Sequence, residues 1–203
     1  MSKSLLVLIF VYAPVHTTFG QLMKGGIINL AGDTVTCKIA STPKDAGLKR
    51  QIGTYHYDYV VAVFNNDSST HLYPGNIKGY YYHWNSENTP MVNRYFSESI
   101  NARFDMMFKK PPLMQPLFLQ SLVTGGHYHL WYFEQPDPGA RNDRNFILEE
   151  SSTGKKIYFH STKGLKKILG DWPGSNKQDA RYKDWFKGKQ WMVIDYNKYK
   201  SEK

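Results

Sequence analysis

The chain has 203 residues, of which 41% are hydrophobic and 15% aromatic. A hydrophobic share of this size excludes an intrinsically disordered chain and predicts one packed domain or two small ones. The 26 basic and 17 acidic residues give a formal net charge of +9. Such a charge favours contact with anionic lipids, acidic glycans or nucleic acid, although a solvated basic surface has the same composition.

The first 20 residues have the pattern of a secretory signal peptide. Lys3 precedes an apolar run over residues 5–12, which is too short to span a bilayer, and Gly20 suits cleavage before Gln21. The alternative is a buried N-terminal strand or helix. We therefore predict a signal peptide over 1–20 and an exported protein that is periplasmic, on the outer surface or secreted. We expect no transmembrane segment in the mature chain and no nucleic-acid partner.

Cys37 is the single cysteine of the chain. A lone thiol cannot form an intramolecular disulfide, so the core must supply the stability of the fold. Val35, Cys37 and Ile39 alternate and share one strand face, which predicts a buried thiol that behaves as a small hydrophobe. An intermolecular disulfide or a reactive nucleophile is the alternative.

Alternating apolar and polar residues predict antiparallel strands in the first two-thirds of the chain. The fragment "GGIINLAGDTVTCKI", residues 25–39, predicts a hairpin that turns at Gly32 and Asp33. Further strands are predicted over 54–64, 79–84 and 91–96. These strands form a predicted N-terminal β-rich subdomain over 21–104.

Residues 105–117 contain three prolines within six positions, which predicts a linker because proline cannot donate to a strand ladder. The segment 118–203 is predicted to be a β-meander followed by helices. Its first hairpin turns at "TGG", residues 124–126, and its second turns near 151–154.

The sequence period changes after His160. Leu165, Ile168 and Leu169 follow helical spacing and Gly170 is a suitable helix end. Aromatic residues at 182–186 and the tail at 189–200 also favour helix, with a strand as the alternative for the tail. The predicted fold class is α+β, with antiparallel β-hairpins over about 24–160 followed by about three short C-terminal helices.

This layout resembles a set of exported proteins from Bacteroidota for which no activity is established. The shared motifs are "GII" at 26–28 with "GDTV" at 32–35, "YPGNIKG" at 73–79, "FLQSLVTG" at 118–125 with "HLWY" at 129–132, "LKKIL" at 165–169 and "YNK" at 196–198. Many members of the set carry a cysteine after the first C-terminal helix, where this chain has Asp171, Trp172 and Pro173. The resemblance implies an envelope or extracellular location.

A histidine pair is the candidate metal site. His127 and His129 are two residues apart on a predicted strand, where side chains point to one face, and His160 or Glu134 could be a third ligand. Catalytic zinc needs about three protein ligands and an open position. The chain lacks a helical H-E-x-x-H motif, so the alternative is an ordinary strand face with aromatic neighbours. We expect no bound cofactor.

Aromatic residues crowd into three predicted strands. Exposed rings on a sheet can stack on sugars, so Trp84, Trp131 and Tyr132 are the candidate ligand-binding residues. The alternative is sheet packing, for which tyrosine and tryptophan are well suited.

The sequence contains no nucleophile elbow and no glycine-rich phosphate loop. The leading hypothesis is an exported, non-enzymatic interaction or envelope-structural protein. Its partner would be a protein or an anionic surface polymer, bound through basic and aromatic surface. The alternatives are a glycan-binding module and a metal-dependent hydrolase at His127 and His129. The sequence does not indicate the oligomeric state.

Overall fold

The computed structural model describes residues 22–40, 59–65, 68–86, 89–101, 114–135, 143–170, 172–176 and 179–203. The predicted signal peptide, most of the predicted linker and the first five residues of the strand predicted over 54–64 lie outside these ranges.

Ten strands form one antiparallel sheet, in the order β10-β9-β8-β7-β6-β5-β1-β2-β3-β4. The strands are β1 Leu22–Ile28, β2 Thr34–Ala40, β3 Val60–Val63, β4 Ser69–Leu72, β5 Gly79–Ser86, β6 Thr89–Asn101, β7 Met114–Val123, β8 Tyr128–Gln135, β9 Asp143–Glu150 and β10 Lys156–Phe159. Helices follow the last strand. The predicted α+β class, with hairpins before a helical C-terminus, is confirmed.

The opening hairpin is confirmed as β1 and β2. Asn29 closes its turn, since its side-chain oxygen accepts a hydrogen bond from the Asp33 amide at 2.8 Å. Cys37 lies on the buried face of β2, as predicted, and burial raises the pKa of its thiol, so it is protonated at neutral pH.

The double glycine that opens this fragment lets β5 approach β1. β5 pairs with the free edge of β1, with Gly25 opposite Tyr82. A Cβ on Gly25 would lie 2.1 Å from the carbonyl oxygen of Tyr81. The pairing of β1 with β5 therefore depends on a residue without a side chain. This pairing joins segments that are about 50 residues apart in the sequence.

The end of the predicted linker forms a strand instead. β7 begins at Met114, and Pro116 lies within it, opposite Ser99 of β6. The registered pairing of β7 with β8 begins at Gln120, so Pro116 lies where its missing N–H interrupts no bond to β8. Residues 105–113 lie outside the described ranges. β6 and β7 pair directly, so the segments 21–104 and 118–203 contribute to the same sheet.

The C-terminal half of the sheet is strongly curled. Lys156 of the edge strand β10 donates a hydrogen bond of 3.0 Å to Glu98 of β6, although the two strands are four positions apart in the sheet. In a flat sheet that separation is about 19 Å, more than the two side chains can span. The face that carries Glu98, Trp131 and Lys156 is therefore concave.

Buried side chains form two clusters. The first contains most of the buried residues of β1 to β3 and of β5 to β7, together with the concave-face residues of β8 and β9. The second lies between the opposite face of β7 to β10 and the helical segments. Its members are Val123, Tyr128, Leu130, Tyr132, Phe146, Leu148, Phe159, Leu165, Leu169, Trp172, Met192, Val193 and Tyr196.

Two α-helices and two short 3-10 turns form the C-terminal layer. The helices are α1 Thr162–Leu169 and α2 Lys187–Ser201, and the turns are Pro173–Asn176 and Ala180–Lys183. Ser161 caps α1, and its side chain accepts a hydrogen bond from the Gly164 amide. The tail at 189–200, for which the sequence favoured helix over strand, lies within α2, so this prediction is confirmed.

The segment predicted as a middle helix is shorter and tighter than expected. The Asp179 side chain accepts a hydrogen bond from the backbone amide of Arg181. The Asp184 side chain accepts hydrogen bonds from the backbone amides of Phe186 and Lys187. Such local bonds compete with a continuous α-helix and explain the 3-10 turn between the two aspartates.

Asn197 fastens α2 to the turn between β7 and β8. Its side-chain oxygen accepts a bond of 2.8 Å from the Tyr128 amide, and its nitrogen donates to the carbonyls of Tyr128 and Gly125 at 2.8 and 3.0 Å. The two distant motifs "TGG" and "YNK" therefore meet, and this clamp sets the position of α2 on the sheet.

Within the described ranges, no helix has the length and apolar character needed to cross a membrane.

Candidate functional site

The predicted histidine pair is divided between the two faces of the sheet. His127 precedes the first residue of β8, and its ring lies 6.0 Å from that of Tyr196 on the helical side. Its Nε2 is 3.8 Å from a carboxylate oxygen of Glu150. The ring of His129 lies 6.1 Å from that of Trp131, which is on the concave side. The strand alternation that was expected to align the two side chains begins only after His127.

His160 is also remote from His127. It follows Phe159, which pairs with Phe146, and Phe146 pairs with Tyr132. Tyr132 is five residues beyond His127 in the sequence, which corresponds to more than about 15 Å along a strand. In the part of the chain that the structure describes, no group of three His, Cys, Asp or Glu residues could hold a metal ion. The side chain of Glu134 lies outside the described set.

The predicted aromatic site is not assembled either. Trp131 and Tyr132 are 5% and 6% exposed, and they belong to different core clusters on opposite faces of β8. Neither ring can therefore stack on a sugar from solvent. The side chain of Trp84 lies outside the described set.

A charged cluster lies on the concave face instead. Lys156 Nζ is 3.0 Å from a Glu98 oxygen and 3.7 Å from a Glu149 oxygen, and the Trp131 Nε1 donates to the same Glu149 oxygen at 2.8 Å. Burial lowers the pKa of Lys156, but the hydrogen bond to Glu98 and the two carboxylate charges outweigh it and raise the pKa. The groups satisfy one another, so this cluster ties β10 to β6.

Lys189 is a fully buried lysine on the inner side of α2. Its Nζ donates to the carbonyl oxygen of Trp185 and lies 4.0 Å and 4.7 Å from the ring centroids of Trp185 and Phe146. Burial lowers its pKa from 10.5 to about 8, and the nearby Asp184 charge only partly offsets this effect. The ammonium is held by ring faces and a carbonyl, without a contacting carboxylate in the described set.

The outer side of α2 carries an exposed stripe, which we define as Lys187, Trp191, Ile194 and Lys198. These residues are spaced three or four apart and lie on one face of the helix. Trp191 is 39% exposed and Ile194 is 41% exposed, while Met192 and Val193 are buried beneath them. Exposed apolar side chains flanked by lysines are unusual on a helix that already has a buried side.

The stripe belongs to the most basic part of the chain. Residues 161–203 contain eleven basic and five acidic residues, an excess of six positive charges within a total of nine. Exposed lysines of α1 at 163 and 167 add to the same layer, because α1 packs against α2. An anionic partner would therefore be attracted to the helical layer more than to the sheet.

The guanidinium of Arg181 covers part of the stripe. Its Cζ lies 5.0 Å from the centre of the Trp191 ring, and its Nη2 forms ion pairs with Asp179 and Asp195 at 2.7 and 3.0 Å. The Tyr182 hydroxyl donates a hydrogen bond to the same Asp195 carboxylate at 2.5 Å. Burial is the larger cause that raises the pKa of Tyr182, and this hydrogen bond is the second. One guanidinium thus pairs with two carboxylates, and the cluster keeps a net charge of −1 next to the stripe.

Sequence reasoning did not single out the stripe. In "WMVIDY", residues 191–196, four consecutive residues are apolar, so periodicity alone does not identify the pair that faces solvent. The available signal was the spacing of Trp191 and Ile194 between Lys187 and Lys198.

Comparisons with protein-family models, curated proteins and solved structures found no match to this chain.

Proposed function

We propose that this protein is an exported, non-enzymatic interaction protein that binds an anionic partner through its C-terminal helical layer. The observation that carries the proposal is the exposed stripe of α2, where two apolar side chains stand between two lysines. The local excess of positive charge supports it. Export is supported by the leader pattern at 1–20 and by the resemblance to exported Bacteroidota proteins.

The two alternative functions gain no comparable observation. The histidines proposed for a metal hydrolase lie on different faces of β8, and the two described aromatic residues proposed for a glycan site are buried. The interaction hypothesis is the one that uses surface actually presented to solvent.

The test compares two charge-matched variants on an immobilised anionic polymer, for which heparin is a suitable probe. One variant replaces the exposed helical lysines with glutamine: Lys163, Lys167, Lys187 and Lys198. The control replaces the same number of exposed lysines on the sheet side of the chain: Lys24, Lys38, Lys78 and Lys155. Both variants lose equal formal charge, so any difference reports where the polymer binds.

We expect the helical variant to elute at a much lower salt concentration than the wild-type protein, and the control to elute close to it. Binding at a local patch depends on nearby charges, because screening removes the influence of distant ones. Equal losses in the two variants would show a diffuse charge effect and contradict the proposal. Circular dichroism and thermal unfolding of both variants establish that the fold is retained.

A further inference from the structure

We propose that the partner of the α2 stripe is an anionic lipid surface, on which Trp191 and Ile194 enter the boundary between headgroups and acyl chains. This inference rests on the proposed function, which leaves the chemical class of the anionic partner open. Lys187 and Lys198 would lie at the level of the lipid phosphates. The helix would lie parallel to the surface while its opposite side stays packed on the sheet.

The apolar half of the stripe favours a lipid over a hydrophilic polymer. Ile194 is 41% exposed and offers only a hydrocarbon surface, which gains nothing from contact with hydroxyl, sulfate or phosphate groups. The same side chain gains free energy on transfer from water to the acyl boundary. The exposed surface of Ile194 therefore favours a lipid over a hydrophilic polymer as the partner of this basic helix face.

The surroundings of Trp191 point the same way. Arg181 lies over the ring at 5.0 Å from its centroid, so a sugar would have to displace the guanidinium to stack on that face. A tryptophan beside arginine and lysine suits the membrane interface, where the indole is amphipathic and the cations meet phosphates. Part of Trp191 remains accessible for insertion, since the residue is 39% exposed.

The charges around the stripe match an anionic plane. Lys187 and Lys198 are eleven residues apart on α2, which corresponds to about 16 Å along the helix axis. Arg181 pairs with both Asp179 and Asp195, so this cluster keeps one net negative charge, which the two flanking lysines outnumber. Glu202 lies 3.9 Å from Lys198, and both side chains are more than 60% exposed, so this pair is weak and free to separate. Lysines flanking an apolar strip are typical of helices that lie in the interface.

Vesicle co-sedimentation tests the inference with the full mature protein. The probes are phosphatidylcholine vesicles with and without phosphatidylglycerol. The stripe variants are Trp191→Ala and Ile194→Ser, and the controls are Leu30→Ser in the β1–β2 turn and Val92→Ser in β6, two exposed apolar residues away from the helical layer. Two separate stripe variants keep the test informative if one of them is unstable, and thermal unfolding identifies that case.

We expect binding to the anionic vesicles only, with about tenfold weaker partitioning for each stripe variant and no change for either control. Lys187→Gln and Lys198→Gln are each expected to weaken it about fivefold. Binding to heparin but not to vesicles would overturn the lipid inference and leave the proposed function standing. Binding to neither probe would overturn both, and equal losses in stripe and control variants would overturn the lipid inference.

Discussion

At the scale of single residues, Lys189 is the least expected feature of the molecule. An ammonium without a carboxylate contact is usually exposed, yet this one is fully buried between two aromatic rings. Cation–π contacts and one carbonyl recover part of the hydration free energy that burial removes. The pKa near 8 shows that the recovery is incomplete, so Lys189 costs stability at neutral pH.

The sign of the pH dependence follows from this lowered pKa. Below pH 8 the amine is protonated in both the folded and unfolded states, and the folded state bears the full cost. Between pH 8 and 10.5 the unfolded state binds more protons, so stability rises with pH, and above 10.5 the cost is gone. A shift of this size corresponds to about 3 kcal/mol.

We therefore predict that Lys189→Met raises the free energy of unfolding at pH 7, and that its advantage over wild type shrinks by about 2 kcal/mol between pH 7 and pH 10. Urea unfolding at a series of pH values measures this difference. Lys198→Met, an exposed substitution on the same helix, is the control and should show no such trend. A constant difference across the series would contradict the assigned pKa.

At the scale of elements, the clamp between α2 and the β7–β8 turn joins the helical layer to the sheet. The turn contains two glycines with similar backbone angles, Gly125 at φ +80° and Gly126 at φ +83°. A Cβ on Gly125 would meet open space, whereas one on Gly126 would lie 2.7 Å from the Asn197 side chain. The chain thus offers a matched pair of glycines that differ in whether an added methyl group would contact the Asn197 side chain.

The matched pair yields a double-mutant cycle. We predict that Gly125→Ala costs about 1 kcal/mol of stability through its positive φ alone, and that Gly126→Ala costs more, because the methyl group also displaces Asn197. In an Asn197→Gly background, which also removes the Asn197 Cβ that would lie 2.8 Å from the new methyl group, the difference between the two substitutions should nearly vanish. Denaturant unfolding gives all the values. Equal costs in the wild-type background would contradict the predicted displacement of Asn197.

The hairpins could be predicted because strand alternation and turn residues are local signals. Gly32 with Asp33, "TGG" and Gly154 all mark turns at which consecutive strands pair. The pairing of β5 with β1 is not local, and the absence of a side chain at Gly25 permits it without announcing which strand will approach. The first residues of β7, Met114–Leu117, were predicted to belong to a linker because of the prolines. The sequence does not show that Pro116 precedes the registered pairing with β8, where a proline interrupts no bond to that strand.

The candidate site was predicted less well than the fold, for reasons of packing. Two-residue spacing places His127 and His129 on one face only if both lie in the strand, and His127 does not. A glycan site would need Trp131 and Tyr132 to be accessible, but the curl of the sheet encloses one and the helices cover the other, as the alternative of sheet packing predicts. Burial depends on which layer covers a face, and periodicity does not contain that information.

At the scale of the whole molecule, the fold separates stability from surface chemistry. The curled sheet and the inner side of the helices form the two cores, and the interior charges of Lys156, Glu98 and Glu149 satisfy one another. Two-thirds of the excess positive charge, six of nine, lies in the last fifth of the chain, in the layer that packs on the sheet. The molecule thus presents one basic side with exposed apolar residues.

The most direct measurement of this asymmetry is lysine footprinting by brief acetylation, read by mass spectrometry, with and without vesicles that contain phosphatidylglycerol. Our account predicts that the vesicles protect Lys187 and Lys198 strongly and the α1 lysines at 163 and 167 to a smaller degree. The exposed sheet lysines at 24, 38 and 155 should react at unchanged rates. Uniform protection of all these lysines, or protection confined to the sheet, would contradict the assignment of the helical layer as the binding surface.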